Sequence, residues 1–182
     1  MNKLKFVMAG LISVSMLYGC GGGSKSVKVS AAAMASPVVV TSSVAYGKRS
    51  GASDKVKKEC IIDKQLPDFI EQYASKNDIA VVQKDGKISS KGKGKVLVVE
   101  FDGIVAGSGG AFTGPKAVTV KGALYKNGKK IGSFEGRRTS GGGAVFGYKG
   151  TCSILGRCVK ALGKDIADWL ARPTMNARLG EM

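Results

Sequence analysis

The chain of 182 residues contains no histidine. That removes the Ser-His-Asp arrangement, imidazole general acid–base work, mixed Cys/His zinc sites and haem ligation through histidine. Carboxylates are scarce too: 13 Asp and Glu stand against 29 Lys and Arg, a formal charge of +16. Glu100 and Asp102, two apart on one strand face, could form a pair at glycosidase-like separation, but such spacing on an exposed face is more often plain solvated alternation. Aromatics make up 7%, with none of the basic–aromatic interleaving that stacks bases, so no nucleic acid partner is expected. No GxxxxGK[ST] motif and no close CxxC pair occurs, and no bound cofactor or metal is expected. Long apolar runs are absent: Phe6 to Gly19 is fourteen residues, short of the roughly 20 that span a bilayer.

What is present begins at the N-terminus. Lys3 and Lys5 precede that short apolar stretch, and Leu17-Tyr18-Gly19-Cys20 closes it, which is the order of a cleaved secretory signal. The pattern resembles the bacterial lipobox, and the resemblance implies lipidation (including palmitate) of Cys20 as the mature N-terminus. Gly21, in place of Asp, implies sorting to the outer membrane, with the domain facing the periplasm and surface exposure kept open. Removing residues 1–19 takes away two lysines, which lowers +16 to +14. A surface so basic attracts anionic lipid, glycan or an acidic protein, although scattered lysines also serve plain solubility.

With Cys20 carrying lipid, Cys60, Cys152 and Cys158 remain for an oxidising compartment, so one disulfide and one free thiol are expected. Cys152 and Cys158 lie six residues apart, about 9 Å of helical rise, beyond the roughly 7 Å a bridge tolerates. Cys60 and Cys152 each precede a helix, which makes them the favoured pair, with Cys158 as the alternative partner. A thiolate at Cys152, lowered by a helix N-terminus, is the thiol-enzyme reading.

Periodicity divides the rest into a lipidated, mostly flexible tether over 20–54, an α+β domain over 55–173 and a loose tail over 174–182. Pro37 to Thr41 reads as an edge strand because of its proline. Leu66, Phe69, Ile70 and Tyr73 start a helix near Leu66, with Pro67 in its first turn. Lys91 to Lys95 reads as a solvated loop. Lys95–Ala106, Ala117–Lys126 and Ile131–Arg138 form an antiparallel meander turned by Asn127-Gly128. Leu155, Cys158, Val159, Leu162, Ile166, Trp169 and Leu170 mark a final helix stopped by Pro173, with Trp169 packing it onto the sheet. The fold class is α+β: two helices packed on one face of a four- to five-stranded, mostly antiparallel sheet.

Glycine-rich segments at 107–115 and 140–147 suggest loops, or an anion cradle in which Arg137, Arg138 and Lys149 contact an anion or a partner. From Glu59 to Pro173 the chain resembles a group of uncharacterised Gram-negative lipoproteins. The resemblance rests on Glu59-Cys60, Leu66-Pro67-Asp68-Phe69-Ile70, Gly114-Pro115-Lys116-Ala117-Val118-Thr119-Val120, Ser140-Gly141-Gly142-Gly143, the Gly150 to Cys158 run and Leu162 to Leu170. The order of elements is also distantly similar to the small α/β domain of curli-secretion-type lipoproteins. The first resemblance names no activity and the second is one of fold alone; with the basic surface and the glycine-rich loops as the contact, the expected function is a non-enzymatic envelope lipoprotein that binds or scaffolds another envelope component. The alternative is a basic module for anionic envelope lipid or glycan, followed by the thiol-dependent enzyme.

Overall fold

A computed structural model describes residues 28–107, 115–141 and 150–182. In chain order the elements are α1 (Ala31–Met34), β1 (Val38–Thr41), β2 (Ala45–Tyr46), α2 (Asp54–Glu59), α3 (Ile62–Ala74) with a 3₁₀ turn at Ser75–Asn77, and β3 (Val81–Lys84). The long strands β4 (Lys95–Val105), β5 (Lys116–Lys126) and β6 (Lys129–Ser140) follow, then α4 (Thr151–Ala171) and β7 (Ala177–Gly180). The class is mixed α+β, with four helices among the described residues and a seven-stranded mixed sheet in the order β3-β1-β4-β5-β6-β7, β2 joining β4 off that path.

The antiparallel meander β4-β5-β6 forms the centre, and Asn127 and Gly128, both at positive φ, make the tight turn between β5 and β6. The expected four or five strands are corrected to seven. The β1–β3, β1–β4, β2–β4 and β6–β7 pairings are parallel, so short parallel ribbons flank the antiparallel centre. The strands beyond that number, β2 and β7, come from segments read as tether and tail. Residues 31–54 hold α1, β1, β2 and the start of α2, and residues 177–180 hold β7. Pro37 does not force β1 to an edge. It precedes the first paired residue, so no ladder donor is lost, and β1 lies between β3 and β4.

Pro67 also sits differently from the sequence expectation. The helix begins at Ile62, so Pro67 falls inside it. Without an amide hydrogen, Pro67 leaves the Asp63 carbonyl four residues earlier without its helical donor. Val44 supplies the replacement, its N–H donating to the Asp63 carbonyl at 3.0 Å. The proline is therefore tolerated because the β1–β2 connection runs alongside α3.

One apolar cluster gathers Leu97, Val99 and Phe101 of β4, Val118, Val120 and Leu124 of β5, Phe134 of β6, Ile62, Leu66 and Ile70 of α3, and Leu155, Val159, Leu162 and Ile166 of α4. Along β4 and β5 these alternate with outward residues, as a sheet with one covered face requires. Trp169 meets Phe134 edge-on at 4.8 Å between ring centroids, and its indole N–H donates to the Thr174 carbonyl at 3.3 Å. Small residues set the fit: a side chain on Gly132 would meet Trp169, one on Gly136 would meet Leu162, and one on Gly163 would meet Phe69 of α3.

Candidate functional site

The sheet face opposite α4 carries the alternate residues. Register places Glu100, Lys121, Glu135 and Arg178 side by side on β4, β5, β6 and β7, a row of alternating charge across four strands. A groove of about 660 Å³ follows it, with Val98, Ala123 and Tyr125 as its apolar part and Lys121, Glu135 and Arg178 along its polar side. The Lys121 ammonium lies 3.3 Å from Glu100 and 2.8 Å from Asp102, and Arg49 reaches Asp102 at 3.1 Å. The hydrogen bond from Lys121 is the main cause that holds the Asp102 carboxyl below the usual carboxylate range, and it raises Lys121 in turn. Glu100 and Asp102 do share a face, but Lys121 bridges them. An ionised, cation-bound Asp102 has no proton to give a leaving group.

The arginines named as anion contacts do not converge. Successive residues of a strand point to opposite faces, so Arg137 is exposed on one side and Arg138 turns to the other. Arg138 makes a two-pronged pair with Asp165 of α4, Nε and Nη2 each at 2.8 Å, and Glu181 stands 3.8 Å away. Its guanidinium is engaged in tying β6 to α4 and the C-terminal segment. Lys149 lies outside the described residues, as do Cys20 and most of both glycine-rich segments.

Cys60 and Cys152 are joined by a disulfide that closes a separation of 92 residues, and Cys158 is free among the described residues. The alternative bridge from Cys60 to Cys158 is not formed, and a bonded Cys152 is no thiolate. Cys158 is buried on the α4 stripe with its Sγ 3.7 Å from the Lys116 carbonyl, and burial pushes its thiol up. Among the described residues no three His, Cys, Asp or Glu side chains come together as a metal site. Lys116 itself is fully buried, and its ammonium has no hydrogen-bond partner among the described residues.

A second feature was not legible from spacing. Lys91 to Lys95 and the β5–β6 turn dock on each other: the Gly94 N–H donates to the Asn127 side-chain oxygen, the Asn127 N–H donates to the Gly94 carbonyl, both at 2.8 Å, and Gly128 rests over Lys91. Lys91, Lys93, Lys95, Lys126, Lys129 and Lys130 thereby share one end of the sheet. All but the half-buried Lys95 are exposed, and none is ion-paired among the described residues. The expected solvated loop at Lys91–Lys95 is one wall of this basic end.

No family model matches the chain, and no curated protein matches it. Among solved structures, it is similar to an uncharacterised protein at 15% identity, over 74% of this chain and 92% of that one, with a TM-score of 0.47. It is also similar to a minor lipoprotein from Acinetobacter baumannii at 11% identity, over 81% of this chain and 97% of that one, with a TM-score of 0.45. Among the described residues no helix is long and apolar enough to cross a membrane.

Proposed function

We propose that the protein is a lipid-anchored, non-enzymatic envelope lipoprotein of the outer membrane whose domain binds another envelope component on the open face of its sheet. The observation that carries this reading is the groove along the Glu100–Lys121–Glu135–Arg178 row, left uncovered while the other face is packed under α4. Its mixed charge and small floor residue, Ala123, suit an extended polar segment of a protein partner. The non-enzymatic reading is supported by the absence of histidine, by Lys121 engaging both carboxylates and by the disulfide at Cys152. The anchor is supported by the Leu17 to Cys20 pattern, and its sorting by Gly21.

The test replaces Ala123 with a photo-crosslinking residue in intact cells, with the same residue at exposed Arg172 as the control. A discrete adduct from position 123 that is missing from 172 is the expected result. Equal labelling at both positions, or none at 123, refutes the groove as the contact. The mass of the N-terminal peptide of the same material reports acylation at Cys20.

A further inference from the structure

The six lysines at one end of the sheet occupy a particular place relative to the chain's entry into the domain. Val38, the first residue of β1, stands opposite Lys95 of β4, and Lys95 stands opposite Lys126 of β5. With strands about 4.8 Å apart, Val38 lies about 10 Å from the lysine-bearing turn. The segment before β1 is pinned there as well. Ser30 donates from both its backbone N–H and its hydroxyl to the Asp78 carboxylate, each at 2.7 Å, and Asp78 lies three residues before the β3 residue that pairs with Val38. The chain therefore reaches the domain at the same end as Lys91, Lys93, Lys95, Lys126, Lys129 and Lys130. The stretches 86–99 and 122–134 around them contain no Asp or Glu.

We infer that this end faces the membrane that holds the lipid and binds the phosphates of anionic phospholipid headgroups in that leaflet. The inference rests on acylation at Cys20. Cys20 and Ser30 are ten residues apart, at most about 36 Å of fully extended chain. The eleven residues of β4 span about 37 Å. Standing on its far end, the domain would lift its entry point to the limit of that reach. Standing on the lysine end, it needs almost none of it. Lysines at a surface of this kind each favour the bound state by about fivefold, provided they come within the Debye length of about 8 Å at physiological salt.

The test uses the mature chain, residues 20–182, carrying Cys20→Ser so that no lipid contributes. Sedimentation with vesicles of phosphatidylcholine containing phosphatidylglycerol is compared with sedimentation on phosphatidylcholine alone. Binding confined to the anionic vesicles and weakened by salt is expected. K91E/K93E and, separately, K126E/K129E should each weaken it by about 25-fold or more. K48E/K55E makes the same change of charge and should leave binding within about twofold. Lys48 lies beside the far half of β4, where Gly47 donates to the Phe101 carbonyl and Ser50 accepts from Ile104, about 25 Å from Lys95. Far-ultraviolet circular dichroism identifies a variant that fails to fold, and agreement between the two lysine pairs guards against that reading. Equal binding to neutral vesicles, equal loss in all three variants, or binding only to vesicles carrying lipopolysaccharide each overturns the inference. Because the assay needs no lipid on the protein, a missing acyl group at Cys20 shows separately in the N-terminal peptide mass and removes the anchor, not the headgroup site.

Discussion

Two glycines in α4 should respond to the same substitution with opposite signs. Alanine exceeds glycine by about 0.8–1.0 kcal/mol at an interior helical position, so each Gly→Ala change starts with that gain. At Gly156 a new Cβ would meet only the Gln65 side-chain oxygen, at 3.3 Å, and that side chain can give way. Gly156→Ala is therefore expected to stabilise the domain by up to about 1 kcal/mol. At Gly163 the new Cβ would sit 2.5 Å from the Phe69 Cβ, 3.1 Å from the Phe69 carbonyl carbon and 3.2 Å from the Ile70 nitrogen. Two of those three atoms are backbone, so α3 and α4 must separate, and Leu66, Ile70, Leu162 and Ile166 lose contact with them. Overpacking costs about 1–3 kcal/mol, and a clash with backbone belongs at the upper end. Subtracting the helix gain leaves a net loss of about 2 kcal/mol for Gly163→Ala, and a gap of about 3 kcal/mol between the two variants. Urea unfolding followed through the single tryptophan, Trp169, which is buried against Phe134, measures both. A Gly163→Ala protein as stable as the parent would show that the helices are not held this close.

Opening the Cys60–Cys152 bridge frees a loop of 92 residues' separation, and chain entropy puts the loss at about 4–5 kcal/mol. Unfolding with and without reductant measures it, and a titre of three free thiols in native periplasmic material would refute the pairing. Asp102 has a folded-state carboxyl held low, chiefly by Lys121, so its contribution is present above the ordinary carboxylate range and is lost as pH falls through the folded value. Lys121→Met should therefore flatten the acid limb of the stability–pH curve, and an unchanged acid limb counts against the bridge. Tyr46 stacks on Phe101 with its hydroxyl unpartnered among the described residues, and burial first, then Asp63, pushes its pKa up to about 12. The unfolded phenol ionises near pH 10, so this contribution is full below pH 10 and declines between about 10 and 12. Ultraviolet titration of the parent against Tyr46→Phe should remove the last phenolate to appear, and loss of an earlier one would contradict the burial.

The parts readable from sequence were those in which one segment carries its own pattern. The α4 stripe repeats at helical spacing, β4 and β5 alternate, and Asn127-Gly128 dictates a tight turn. The short strands β2 and β7 gave no such signal, and the placing of the others depends on their partners. β1 was readable as a strand, but its interior place is set by β3 and β4 on either side, and β7 is set by its register with β6. Pro67 illustrates the same dependence. Read alone it belongs at a helix start, and only the Val44 N–H, more than twenty residues away, makes an interior place tolerable.

The basic surface divides along the same line. Arg137 and Arg138 look like a pair because they are adjacent, but strand alternation separates them and Asp165 occupies one. Lys91–Lys95 and Lys126–Lys130 look unrelated because some thirty residues intervene, but the β4–β5 register sets Lys95 against Lys126 and the Gly94–Asn127 bonds close the gap. Charge adjacency in sequence is thus a poor guide on a sheet, where a register pair lies closer than the alternate faces of neighbouring residues. Net charge alone suggests attraction to anions everywhere; the pairing of Val38 with Lys95 gives that attraction a direction, toward the end at which the chain enters.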